Sequence, residues 1–432
     1  MTAILMMLSF FFMMVIGIPL FISLLAASFV GFLSLGDLSM LRLMVQQFFS
    51  GMDVFSLMAI PFFILAGTLM NSSGLTDRLL EFTQLIVGKV KGALGYVNVV
   101  ASILFAGVNG SAAADASALG SILIPAMKKE GYDPVYSAGI TAGSSLIGPI
   151  IPPSIFMILY AAMTNTSVGG LFVAGFIPGL ILGGAFLVMN YLYVRNREFE
   201  RVESETFLER SNLQKIWHCM PALIAPLIII GGIVTGVVTP TESGALAVAY
   251  VAFAGFFLTK ELTLKSFMSA IFETARLTSA IFLIMGAAAV VSWILTWDRV
   301  PQRFAEFLVS LGVTENPVVL MLVLSGITFI VGMFMEEVAT LTLLTPIFVP
   351  LAKMAGIDPL HFGIVMTLNV TIALVTPPMG ACVYIVSAIG KVPLGDMFRG
   401  IWPFVAVAMI VLVIIILFPS LTTTLPKLAG LY

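Results

Sequence analysis

Long apolar runs separated by short polar stretches dominate this chain. A helix needs roughly 20 apolar residues to cross a bilayer. By that measure, spans are predicted near residues 4–34, 54–73, 135–163, 168–194, 218–238, 242–258, 266–296, 360–388 and 397–420. Two further stretches, 92–128 and 315–353, are too long for one helix and have Gly-rich middles. In the first, the centre from Gly107 to Asp115 is small and polar, and lysines sit at both ends (Lys89, Lys91, Lys128, Lys129). Two half-length helices meeting at a polar tip would put all four lysines on one side. That predicts a re-entrant hairpin whose tip is buried in protein or wet.

The pattern also repeats. Gly107 answers Gly332, Pro125 answers Pro350, Asp133-Pro134 answers Asp358-Pro359, and Pro152-Pro153 answers Pro377-Pro378, always 225 residues apart. Matched Gly and Pro imply matched backbone shape. The amphipathic stretch 75–88 shares the offset, with Arg78, Glu81 and Phe82 recurring as Arg303, Glu306 and Phe307. It and 38–50 read either as interfacial arm helices or as ordinary connections.

Composition names the solvent. Of 432 residues, 60% are hydrophobic and 10% charged, far below the roughly 25% charged of soluble domains. Net charge is -2, with no basic block that would draw nucleic acid. Cys219 and Cys382 have no metal-type spacing and read as small core residues. No Lys or Arg precedes the first apolar run, so 4–34 reads as a retained first span rather than a cleaved signal. With the N-terminus, the first hairpin's base and the 195–217 loop in the cytoplasm, fourteen of the 20 Lys and Arg fall inside and five outside, with Arg276 in a span. The positive-inside rule favours that orientation. The second hairpin then opens outward and the repeats are inverted.

Chemistry is expected where spans break. Gly148, Pro149, Pro152 and Pro153 interrupt one, and Pro377, Pro378 and Gly380 interrupt its equivalent. Proline removes amide donors and crowds earlier carbonyls. Freed carbonyls and small hydroxyls suit a hard cation such as sodium, and half-helix N-termini suit an anion. Candidate sodium ligands are Gly107, Asn109, Ser111, Ser144, Ser145, Gly148, Gly332, Asn369, Thr376 and Pro377. Intramembrane carboxylates are costly, which singles out Asp115, Glu336 and Glu337. Arg299 either meets a substrate carboxylate or anchors an interfacial helix. His218 and His361 have no acid-nucleophile set beside them in sequence, and no Walker A motif occurs. An enzyme or an ATP-driven pump is therefore not the reading.

The segments GVNGSAAADASALGSILIPAMKKEGYDP and SSLIGPIIPPSIFMILYA, with VTPPMG in the second half, resemble the large membrane subunit of tripartite ATP-independent periplasmic (TRAP) transporters. Asn109 stands where that family commonly has serine. The resemblance implies an all-α, inverted-repeat, elevator-type transporter with two re-entrant hairpins and two broken helices. It would divide the chain into scaffold and arm (1–91), first transport repeat (92–194), cytoplasmic loop (195–217), scaffold and second arm (218–314), and second transport repeat (315–432). It implies Na+-coupled uptake of an organic acid, of sialic acid or C4-dicarboxylate type, across the bacterial inner membrane. It implies two partners, a small four-helix membrane subunit and a periplasmic substrate-binding protein. Ser111, Ser154 and Glu336 lie where substrate contacts are expected; Asp115 and Arg299 complete that set. The alternatives are a self-sufficient Na+/carboxylate symporter and an ion channel.

Overall fold

The computed structural model describes residues 2–34, 41–88, 90–197 and 212–432, and its long elements there are all helical. Lys89 and most of the predicted 195–217 loop, with Arg201 and Arg210, lie outside the described residues.

The expected single span 4–34 is two helices, α1 (Thr2–Val15) and α2 (Leu20–Ser34). Gly17 takes φ +85° and Pro19 follows it, so the helix cannot continue. The two helices run antiparallel. A Cβ on Gly31 would lie 2.6 Å from Met6 Sδ and 3.2 Å from Ile294 Cδ1. Residue 2 thus returns to the side where α2 ends.

Helix α3 (Leu41–Met52) and a short 3-10 turn lead into α4 (Ala59–Ser72) and the arm α5 (Leu75–Val87). The first hairpin is α6 (Ala93–Asn109) and α7 (Ala112–Lys129). The first broken span is α8 (Pro134–Ser145) and α9 (Ile155–Thr164), followed by α10 (Val168–Val194). Helices α11 (Asn212–Val234), α12 (Pro240–Phe253) and α13 (Leu264–Trp297) lead to the second arm, α14 (Val300–Ser310). The second hairpin is α15 (Pro317–Phe334) and α16 (Glu337–Met354), and the second broken span is α17 (Pro359–Ala373) and α18 (Ala381–Gly390). Helices α19 (Leu394–Gly400), α20 (Trp402–Leu417) and α21 (Ser420–Leu428) close the chain.

The repeated punctuation sets these boundaries. Gly131 and Gly356, at φ +85° and +72°, end the two hairpins. Two residues on, Asp133 and Asp358 cap α8 and α17, each with proline at the first helical position. Both X-Pro bonds predicted to break the spans, Pro152-Pro153 and Pro377-Pro378, are cis.

The two hairpins enter from opposite sides. The second broken span starts directly after the second hairpin's base and ends at the first hairpin's base, where Lys128 Nζ donates to the Gly390 carbonyl at 2.8 Å. Each hairpin's second arm packs on the other repeat: α7 against α18, and α16 against α9. The inverted repeat read from charge is therefore the observed one.

One orientation expectation is corrected. Met6 reaches Ile294, near the end of α13 that leads through α14 to the second hairpin. The N-terminus therefore lies on the second hairpin's side, not with the first hairpin's base, because 4–34 makes a turn rather than one crossing. The C-terminal segment lies on that side too. His361 Nδ1 and Thr422 Oγ1 are 2.9 Å apart, and the Tyr432 hydroxyl donates to the Asp358 carboxylate.

Among the described residues, eight helices are long and apolar enough to cross a membrane. Outward-facing apolar side chains such as Phe272 (74% exposed) and Val237 (78% exposed) fit a lipid-facing surface.

Candidate functional site

Each hairpin tip is a helix N-terminus. Ser111 caps α7, accepting from the Ala114 amide at 3.5 Å, and Glu336 caps α16, accepting from the Ala339 amide at 3.1 Å. The first tip is pressed onto the first break. Gly110 is left-handed (φ +62°), and a Cβ there would run into the Pro153 carbonyl. A Cβ on Gly148 would lie 3.5 Å from the Ser111 carbonyl. Behind the break, Gly175 of α10 has no room for a Cβ against the Ile150 carbonyl. At the second tip, the Met379 amide donates to the Met333 carbonyl at 3.2 Å.

Buried polar bonds fasten each broken span to its hairpin. Asn98 Nδ2 donates to Thr141 Oγ1 at 2.7 Å, and Ser144 Oγ donates to Asn98 Oδ1 at 2.9 Å. Ser102 Oγ also reaches Ser144 Oγ at 3.1 Å. At the equivalent of Ser144, Asn369 Nδ2 donates to the Ser325 carbonyl at 2.8 Å.

The breaks expose acceptors. Among the described residues, the carbonyls of Gly148, Pro149, Pro152 and Pro153 accept no hydrogen bond, nor do those of Val375 and Pro377. Asn369 Oδ1 is buried without a partner. Ser145 and Thr376 donate their hydroxyl protons to Ala142 and Ile372 carbonyls, leaving oxygen lone pairs. Such a set of carbonyl, amide and hydroxyl oxygens fits a hard cation. Gly332 lies beside Ala373 at the second break, whereas Gly107 faces Pro226 of α11. Asn109 turns its oxygen toward Gly67 of α4 and leaves Nδ2 buried and unpaired.

A cavity of about 750 Å³ touches both tips, through Asn109 and Ser111 on one side and Glu336 and Glu337 on the other. It follows α7 toward the first hairpin's side along Ala114, Ser117, Ala118 and Ser121. A second cavity of about 590 Å³, on the other side, runs along α16 from Thr345 to Lys353 and does not touch the tip residues.

Of the expected substrate contacts, Ser111 and Glu336 face the larger cavity. The other three do not line it. Ser154 is fully buried as the cap of α9, accepting from Met157 N. Asp115 lies behind the tip, buried beside Ser102. Arg299 sits at the α13–α14 junction at φ +53° and does not line the cavity. Sequence reading missed Asp77, Glu273, Thr68 and Asn71 in the walls. The small polar stripe Ser111–Ala114–Ser117–Ser121 at helical spacing was the one signal available for this face.

A family described as "Tripartite ATP-independent periplasmic transporter, DctM component" matches residues 7–421. The chain belongs to this family. The DctM-type chain is 38% identical over 412 residues to the sialic acid TRAP transporter large permease protein SiaM of Vibrio cholerae, covering 95% of each. It is 36% identical over 392 residues to the C4-dicarboxylate TRAP transporter large permease protein DctM of Pseudomonas aeruginosa, covering 90% of each. Its fold resembles the Alcanivorax borkumensis YdaH transporter, with a TM-score of 0.65 at 12% identity over 89% of this chain and 90% of that one. As a DctM component, the chain is a multi-pass membrane transporter permease and not an enzyme.

Proposed function

We propose that this DctM-type permease carries out sodium-coupled uptake of an organic acid across the bacterial inner membrane. Its proposed partners are a small membrane subunit and a periplasmic binding protein. The observation that carries the reading is a cavity touching both hairpin tips, with cation-suited oxygens immediately behind them. Sodium loaded between each tip and its break holds the tip closed and completes the wall facing the acid. With the first hairpin's base in the cytoplasm, the larger cavity is the inward path, and both chain ends lie in the periplasm. The two cavities on opposite sides, one stopping short of the tips, suit alternating access by an elevator in which 92–194 and 315–432 move against 1–91 and 218–314.

The membrane potential supplies the drive. Each net inward charge gains about 2.3 kcal/mol per 100 mV. Two such charges give about 4.6 kcal/mol, over a thousandfold in concentration ratio.

The test is thermal stabilisation of the purified chain by a panel of organic acids with and without sodium. Stabilisation by an acid only in sodium is expected, and Thr376→Ala should weaken it. Stabilisation indifferent to sodium would remove the coupling. Uptake by this chain reconstituted alone would remove the partners from the reading.

A further inference from the structure

We infer that the larger cavity is built for a monocarboxylate whose far end donates hydrogen bonds, through hydroxyl or ammonium groups, and not for a dicarboxylate. This rests on the proposed reading of that cavity as the substrate site.

The charge of the walls is one-sided. Asp77, Glu273, Glu336 and Glu337 line the cavity, and among the described residues no Lys, Arg or His does. The two tips also differ, although they occupy equivalent positions. The first presents an uncharged cap, Ser111, at the start of the 18-residue helix α7, with Ala113 and Ala114 in the cavity wall. Asn109 lines the cavity as well, its Nδ2 unpartnered on a side chain only 6% exposed. Backbone amides, the positive helix end and that amide donor together receive one carboxylate. The second tip cannot receive another. Its helix start is already occupied by the Glu336 carboxylate, bound to the Ala339 amide at 3.1 Å. Glu337 beside it has a buried Oε2 without a partner.

A diacid would bring its second carboxylate toward Glu336 and Glu337 with no basic side chain in the lining to separate them. Like charges brought together away from bulk water repel strongly. A hydroxyl or ammonium donor instead pairs with Glu336, making a charge-assisted hydrogen bond. The volume agrees. About 750 Å³ falls in the usual range for ligands well above four carbons in size.

The experiment compares D-gluconate and N-acetylneuraminate (hydroxyl donors), 4-aminobutyrate (ammonium donor) and succinate. The readout is the concentration of each that stabilises the purified chain against heating in sodium. A hydroxylated or ammonium-bearing monoacid is expected to act at concentrations at least about 10-fold below succinate. Which of the two classes acts identifies the donor. Glu336→Gln keeps the cap oxygen but removes the charge. It should weaken the preferred monoacid about 10-fold or more and improve succinate. Succinate acting at equal or lower concentration than every monoacid overturns this inference and leaves the transport reading standing. No acid stabilising the chain in sodium overturns the cavity assignment and this inference with it. Should Glu336→Gln fail to fold, the wild-type ranking alone decides.

Discussion

Ser111 and Glu336 stand 225 residues apart in sequence and do the same backbone job, each accepting the amide of the residue three places on at the start of a hairpin's second arm. Both face the same cavity. The repeat thus fixes the geometry of the two tips, while the side chain chosen at each gives one a hydroxyl and the other a carboxylate.

Ser111→Ala removes a cap worth about 1 kcal/mol. A modest fall in melting temperature is expected, with a larger loss of sodium-dependent uptake. Ser111→Thr keeps the hydroxyl and should retain most of both. Uptake in proteoliposomes holding the permease with its small subunit and binding protein, over a sodium titration, checks this, and unchanged sodium dependence in Ser111→Ala would take the residue out of the site.

Gly110→Ala and Gly175→Ala place a Cβ against the Pro153 and Ile150 carbonyls. Overpacking of this kind costs about 1–3 kcal/mol. Both variants should melt earlier and lose transport, because tip and break can no longer meet. Gly184→Ala, in the same helix as Gly175 but with nothing within 4 Å of its Cβ, should be neutral or slightly stabilising. Equal behaviour of all three would refute the close docking.

The antiparallel α1–α2 pair makes a sidedness prediction. A tag at the N-terminus and a cysteine at Lys427 should be reached from the same face, and a cysteine at Lys129 from the other. Impermeant maleimide on intact and opened cells reads this out, with little background because Cys219 and Cys382 are buried. An N-terminal tag sharing a face with Lys129→Cys would contradict the packing of Met6 on Gly31.

Asn98→Ala leaves Thr141 and Ser144 without their amide partner. Loss of a buried hydrogen-bond partner costs about 1–3 kcal/mol. Since Asn98 lies outside the cavity wall, a lower melting temperature is expected with little change in the stabilisation given by saturating acid in sodium.

The chain's linear order determined a good deal. Gly and Pro restrict φ locally, so hairpin tips, breaks and helix starts at Asp133 and Asp358 were legible without any tertiary knowledge. Lysines at both ends of one apolar stretch were enough to fold it into a hairpin, because charge avoids hydrocarbon. The same logic misread 4–34, where hydropathy is continuous and only Gly17 and Pro19 mark the turn. Which polar groups face the cavity was decided by packing alone. Asp115 is on the same helix as Ser111 but turns behind the tip, Ser154 serves its own helix end, and Arg299 lies at a junction outside the wall. Asp77 and Glu273 reach the wall from helices far apart in sequence. Local rules fix backbone shape through each residue's own dihedrals. The direction of a side chain toward a shared space depends on how distant helices cross, and that only the assembled tertiary structure decides.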